Sequence, residues 1–354
     1  MGIQTIGQVT PQELLVFTAT IHAGLDQALN DNAGDIHYPN ICFVKNAVET
    51  YNGGDGTVQW AQRIPDELIF NFSPPTGQME ELEGNNKTFH PLVRGAIRVK
   101  VKQYHLGYKI SKKDFLNDVY GTLAAVPRKL ARGARKLGDI LVARLLRNGK
   151  VTKDYTKTNF FATGKPLSPS GARTGSFNNL FTGAGAALTS INLGRIIAEM
   201  MSLTNEDGLS LNVMPDTLIV PPTLYPEAVI AVKMITNVFS DGNPAPGQVA
   251  GTAAHGANWV AMEGMIKQSV KMNERLIGGA SIDRKTWYVA ETMNPDRGGA
   301  WGILYAETPN VDFMQSMALN DYSVAFLNEF AWGVERWAGV APGLPHLIAR
   351  CEQP

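Results

Sequence analysis

An α+β fold is what this sequence predicts, on three observations. A long amphipathic helix is written into residues 126–149, a charge-split extended excursion precedes it, and short apolar strand-like runs follow it. At 354 residues, 44% hydrophobic and 18% charged, the chain has globular composition and room for one elaborated domain or two.

In chain order, the first element is a helix over residues 10–30. Thr10 caps it, Pro11 stands in its first turn, and Glu13 completes a capping box. Leu14, Phe17, Ile21, Leu25 and Leu29 then recur at helical spacing. Residues 51–113 behave differently. Between 66 and 84 there are five acids (Asp66, Glu67, Glu80, Glu81, Glu83) and no Lys or Arg. Between 86 and 113 there are eight bases (Lys87, Arg94, Arg98, Lys100, Lys102, Lys109, Lys112, Lys113) and no acid. Ile97, Val99 and Val101 alternate with Arg98, Lys100 and Lys102, the period of a half-exposed strand. An extended excursion folded back near Gly84 is expected. Its two arms are either solvated faces or oppositely charged surfaces that pair with each other or with neighbouring subunits.

The helix "VPRKLARGARKLGDILVARLLRNG" carries Val126, Leu130, Leu137, Leu141 and Leu145 in one stripe, with Ala134 among them. Arg128, Arg132 and Arg135 lie on the opposite side, and Asp139 is the single acid. At ~1.5 Å per residue it spans about 33 Å. Gly133 and Gly138 each cost about 1 kcal/mol relative to alanine, so close approach of another element is the expected reason for them. Residues 163–189, rich in Gly, Ser, Thr and Pro, read as a long loop. A helix follows with Ile196, Ile197, Met200 and Met201 on its buried side. Next come a strand at 217–220, the break at Pro221 and Pro222, and another helix. Strand-like pieces recur at 265–273, 286–291 and 300–307. Tyr322, Val324, Phe326, Phe330, Trp332 and Val334 share one parity, consistent with a final extended region, although a helix there is an open alternative.

Charge and motifs exclude several functions. Lys plus Arg and Asp plus Glu balance at 32 each, against a nucleic-acid protein that relies on overall charge. Cys42 and Cys351 are far apart, with neither CxxC spacing nor a disulfide framework, and Cys42 reads as a small buried hydrophobe. The six histidines are dispersed and none forms an HExxH pair. Gly164-Lys165 mimics a phosphate loop, but Asn159 replaces its first glycine and Pro166 its hydroxyl residue. No GxSxG elbow occurs. No cofactor, metal or catalytic residue is assigned, and the chain is read as a non-enzyme. The N-terminus lacks a basic region followed by an apolar one, and no apolar run approaches the ~20 residues of a membrane helix. A soluble protein folding in a reducing cytoplasm is expected.

Several segments, in order, resemble the major head protein family of Mu-like phages and prophages. They are "KISKKDFLNDVYG" (109–121), "LGDILVARLLRNG" (137–149), "TNFFATGKP", "NNLFTGAGAALTSINLGRIIAEM", "DGLSLNVMPDTLIVPPTLYPEA" and "WYVAE" (287–291). The resemblance covers about residues 105–295. It departs at Gly164-Lys165, where the family commonly has a histidine, and at Tyr225, where an acid is common. The resemblance implies the Hong Kong 97-type capsid fold. Residues 1–50 would form the N-arm with its helix, 51–108 the E-loop, and 109–204 the peripheral domain with spine helix 126–148. Residues 205–312 would form the axial domain, and 313–354 would return to the peripheral domain.

The implied function is a major capsid protein, self-assembling through hexamers and pentamers into an icosahedral head around double-stranded DNA. Its partners would be itself, packaged DNA bound nonspecifically, and portal, scaffold and decoration proteins, without a membrane. Its place would be the virion, with assembly in the host cytoplasm. Glu80, Glu81, Glu83, Arg94, Arg98, Lys100 and Lys102 are the expected inter-subunit contacts, and Arg128, Arg132 and Arg135 the expected DNA-facing residues. An isopeptide from Lys87 or Lys100 is a further option. The alternatives are an encapsulin-like compartment, an α/β enzyme built around "TLIVPPTLYPEA", and a DNA-binding regulator using the basic helix.

Overall fold

The structure, a computed structural model, describes residues 37–51, 61–72, 95–116, 125–166, 176–204, 210–233, 236–239, 254–257, 264–271, 285–293, 300–316 and 327–354. It also describes Ala19, Ala23, Gly24 and Gln27, all helical, within the helix expected at 10–30, whose other positions lie outside the described residues.

In chain order the strands are β1 (Phe43–Asn46), β2 (Glu49–Tyr51), β3 (Ala61–Arg63), β4 (Glu67–Phe72), β5 (Gly95–Lys100) and β6 (Lys102–Ser111). A short helix α1 (Lys112–Leu116) and the long helix α2 (Val126–Asn148) follow. Next come β7 (Lys165–Pro166), β8 (Ser176–Phe177), β9 (Leu180–Thr182), α3 (Ser190–Met201), β10 (Thr217–Val220) and α4 (Tyr225–Lys233). The remainder is β11 (Thr236–Phe239), β12 (Ala254–Ala257), β13 (Gln268–Lys271), β14 (Thr286–Ala290), β15 (Ile303–Glu307), β16 (Asp312–Ser316), β17 (Glu329–Pro342) and β18 (Ile348–Glu352).

Two five-stranded sheets organise the chain. In the first, β17 pairs along one edge with β6, from Glu329↔Ser111 to Ala338↔Lys102. Its other edge pairs with β16 and then with β15, which pairs in turn with β1. The second sheet has the order β13-β10-β14-β18-β9. Helix α2 lies against both. Leu130, Ala131 and Ala134 pack on Phe330, Trp332 and Val334 of the first sheet. Leu141, Val142, Leu145 and Leu146 reach Tyr305 of the first sheet and Ile219, Tyr288 and Ile348 of the second. Helices α3 and α4 cover the other side of the second sheet, over Leu218, Val220, Trp287 and Val289.

The two glycines of α2 sit at close approaches, as their cost suggested. A Cβ on Gly133 would meet the tip of Leu106, and one on Gly138 would meet the Tyr38 ring. Other expectations change. Met201 is 38% exposed, because the final turn of α3 carries it past the core that holds Ile196, Ile197 and Met200. Residues 163–189 are not one loop: β9 pairs with β18 at the edge of the second sheet, and β7 pairs with β8. Strand β15 belongs to the sheet of β6 and β17, and β18 to that of β10 and β14. Both pairings are non-local, joining strands far apart in sequence. Phe330, Trp332 and Val334 face the helix from an extended strand, while Tyr322, Val324 and Phe326 lie outside the described residues.

Candidate functional site

The charge-split excursion is a β-hairpin where it is described. Strand β4 pairs antiparallel with β5 from Glu67↔Lys100 to Phe72↔Gly95. Its alternation does what period-2 patterning requires. Leu68, Phe70, Ile97 and Val99 are buried against Ala47, just past β1, and against Leu304, Ala306 and Ala341 of the first sheet. Arg98 and Lys100 face outward. The stem is fastened at its foot, where Val101 donates its amide to the Asp66 carbonyl at 2.9 Å. There the Lys100 carbonyl crosses Gly339 so closely that a Cβ would strike it.

Opposite charges do meet at this foot. Glu67 approaches Arg98 at 3.5 Å and Lys100 at 4.0 Å. With the bases 70% and 76% exposed, such contacts contribute well under about 1 kcal/mol each, so they leave a cationic row facing outward. Lys102 continues the row as an exposed residue just past the bend. Glu80, Glu81, Glu83, Lys87 and Arg94 lie outside the described residues. On α2, Arg128 and Arg132 are exposed, whereas Arg135 is half-buried, so the three arginines do not form one uniform face.

Sequence reasoning missed the polar ties that hold these surfaces in place. Asp139 accepts the backbone amides of His37 (3.0 Å) and Tyr38 (2.7 Å), anchoring the segment before β1 to α2. Burial raises its carboxyl pKa, and the two amide bonds oppose the rise. The Tyr38 hydroxyl donates to Glu307 at 2.9 Å, and Arg336 pairs with Glu307 at 3.0 Å. Burial and then the Glu307 charge push the Tyr38 and Tyr305 hydroxyls far up. Arg350, from the second sheet, donates to the Leu146 (2.8 Å) and Arg147 (3.0 Å) carbonyls, closing the C-terminus of α2 where a cation is favoured. A lone acid on an otherwise basic helix was the one available signal for the first tie. Nothing local announces the others.

The residues that imitate catalytic motifs are structural here. Lys165 is buried, and its ammonium donates to Asp154 Oδ2 (2.6 Å), Thr158 Oγ1 (2.8 Å) and the Asn159 carbonyl (2.6 Å). Burial lowers its pKa and Asp154 opposes that. With three acceptors in place, the ammonium has no donor left for a phosphate. Asp216 likewise accepts from the Thr217 hydroxyl and from the Thr292 and Met293 amides. Cys42 and Cys351 are free and buried, with thiol pKa values raised by burial. Among the described residues no group of three His, Cys, Asp or Glu side chains could hold a metal, and no helix is long and apolar enough to cross a membrane.

A family model for phage capsid proteins matches residues 95–343, well over half of the chain. The chain belongs to the phage capsid protein family. This capsid protein is also similar to solved structures. For the procapsid of bacteriophage JBD30 the TM-score is 0.51 at 14% identity, covering 98% of this chain and 77% of that one. For the mature capsid of bacteriophage PhiM1 it is 0.50 at 10% identity, covering 90% and 87%. At those identities the likeness concerns the fold, a mixed helix-and-sheet fold similar to phage capsid structures. No curated protein sequence matches the chain. Family membership makes it a structural protein of the virion shell.

Proposed function

We propose that this capsid protein is the major shell subunit of a tailed phage or prophage of the Mu-like kind, with a Hong Kong 97-type arrangement. The first sheet with α2 would be the peripheral domain and the second sheet with α3 and α4 the axial domain. Copies assemble through hexamers and pentamers into an icosahedral head around double-stranded DNA. Assembly takes place in the host cytoplasm, with portal, scaffold and decoration proteins as further partners. The observation that carries the reading is the charged hairpin mounted on the first sheet, within a chain matched by the capsid family over residues 95–343. A subunit that works alone has little use for an outward cationic row and an acidic arm on an extended excursion. In a shell those surfaces meet between copies, and many weak contacts closing under symmetry give a stable wall. Arg128, Arg132 and Arg135 then contact packaged DNA through phosphate charge, without reading sequence. Negative-stain microscopy of the purified protein tests the reading. Shells or ring-shaped capsomers are expected, and compact monomers or dimers under all assembly conditions would overturn it.

A further inference from the structure

The longest cationic row on α2 is not the one that carries Arg128, Arg132 and Arg135. At about 100° per residue, Lys129, Lys136 and Arg147 fall within about 20° of one line along the helix, and Arg144 stands about 60° to its side. That line lies opposite the centre of the face that Leu130, Ala131, Ala134, Leu141, Val142 and Leu145 bury. Lys129, Arg144 and Arg147 are exposed and make no ion pair among the described residues, and Lys136 is half-buried. The row of Arg128 and Arg132 is shorter. Toward the C-terminus it meets Asp139, which holds the His37 and Tyr38 amides, and then Leu146, buried with Tyr38, Ile41 and Cys42.

The acids near this row are already committed. Besides Asp139, Asp154 is buried against Lys165, and Glu352 pairs with Lys150 at 3.1 Å and Arg350 at 2.9 Å. Past Arg147, the Thr152 hydroxyl donates to the Asn148 carbonyl at 3.0 Å and holds the next turn to the helix end, where Lys153 and Lys157 are exposed. From Lys129 to Arg147 the row runs about 27 Å, or about eight base-pair steps of duplex DNA. Helix α2 has no exposed large apolar side chain, so the row lacks the apolar centre on which a protein partner anchors. It is also separate from the hairpin. Helix α2 packs on Phe330, Trp332 and Val334 of β17, and the hairpin on Trp337 and Ala341, which have the opposite parity, so the two lie on opposite faces of the first sheet.

We propose that duplex DNA lies along the whole length of α2, on the line Lys129–Lys136–Arg147 with Arg144 beside it and Lys153 and Lys157 at its far end. Arg128 and Arg132 then touch the same duplex only at the first turns. This inference rests on the shell-forming reading above, which supplies the genome as the polyanion. A backbone with one charge per ~1.7 Å offers a phosphate to every cation on a straight row of this length, whatever the base sequence. Each phosphate neutralised releases counterions, so the binding depends steeply on salt.

The test measures binding of the full-length subunit to a fluorescein-labelled duplex of about 30 base pairs, by anisotropy from about 50 to about 200 mM salt. Lys129→Gln with Arg144→Gln and Arg147→Gln should weaken binding about tenfold or more at the lowest salt. The same triple should flatten the log–log salt slope by about 2.7, and Arg147→Gln alone by about 0.9. Two duplexes of unrelated sequence should behave alike. Removing equal charge elsewhere, with Lys45→Gln, Lys109→Gln and Lys267→Gln, should change neither quantity, since all three side chains are exposed away from α2. Val151, 76% exposed just past the helix, is the apolar control, and Val151→Ser should also bind as wild type does. Equal losses from the two triple variants would show attraction by overall charge and overturn the proposal, as would a wild-type subunit that ignores the duplex. A loss on Val151→Ser, or tighter binding of a poly-glutamate peptide than of the duplex, would point to a protein partner and overturn it too. Each of these leaves the capsid reading standing, whereas wild-type protein that forms no shells overturns the assembly reading itself.

Discussion

Replacing Gly138 by alanine should destabilise the subunit, although the same change at Gly133, five residues earlier on the same helix, should not. In an unobstructed helix either change gains about 1 kcal/mol from propensity. At Gly138 the new methyl would sit 2.6 Å from Cε1 and 2.7 Å from Cγ of Tyr38, with Cδ1 closer still. That ring cannot easily move. Its hydroxyl is bonded to Glu307, its backbone amide to Asp139, and its face lies 4.7 Å from the Tyr305 ring. Overpacking against fixed groups costs typically 1–3 kcal/mol, and three ring carbons within 3 Å put this site in the upper part of that range. A net loss of about 1–2 kcal/mol remains after the propensity gain. At Gly133 the obstruction is the terminal methyl of Leu106, and the next atom is 3.8 Å away, so a rotamer change suffices. Gly133→Ala should be neutral or stabilising by up to about 1 kcal/mol. Urea unfolding of dilute, unassembled subunit followed by tryptophan fluorescence reads both. If Gly138→Ala proves as stable as Gly133→Ala, Tyr38 is not the fixed packing surface argued above.

Asp139→Ala strands two amides and should cost about 1–3 kcal/mol, while Asp139→Asn retains an acceptor and loses less. Because burial raises the Asp139 pKa above its ordinary 3.8, the folded state binds more protons between those two values. Wild type should therefore gain on Asp139→Asn as pH falls through that window, and urea midpoints drifting the other way would contradict the burial argument. Lys165→Met leaves Asp154 charged and buried, with an expected loss of about 3–5 kcal/mol, whereas Lys165→Met combined with Asp154→Leu should recover most of it; thermal unfolding separates the two. Reversing Arg98, Lys100 and Lys102 to glutamate should abolish shells in micrographs and leave the subunit's circular dichroism intact, because these side chains are exposed. Changing Arg128, Arg132 and Arg135 to glutamine should preserve assembly but weaken DNA retention at low salt, and unchanged packaging would reject the phosphate-contact role.

Where one physical signal dominates locally, the sequence was enough. Helix α2 spans Val126–Asn148, with its leucine stripe inward, because 23 residues of 3.6-periodicity leave no competing solution. Strand β5 buries Ile97 and Val99 as its alternation requires. The sheet membership of β15 and β18 was illegible, since both strands are short and apolar and their partners lie far away in sequence. Gly107, Gly333 and Met314 mean nothing separately, and only the register of three strands sets them in one row. Lys165 shows the limit of the search for chemistry. Asn159 and Pro166 already argued against a phosphate site in the sequence, but only the fold shows what the ammonium does instead, which is to be held by Asp154.

The crossing at Gly339 has a mechanical meaning. Strand β6 lies on one side of β17, and the chain that continues from it bends at Val101, passes over Gly339 and leaves on the far side, toward β1. It is routed like a strap over a rail. A pull along the stem would therefore act across β17 at the Lys102 end of the β6 ladder, toward β17, and not along the ladder's length. A side chain at Gly339 would lift the strap from its rail, so the fastening depends on there being no side chain at that position.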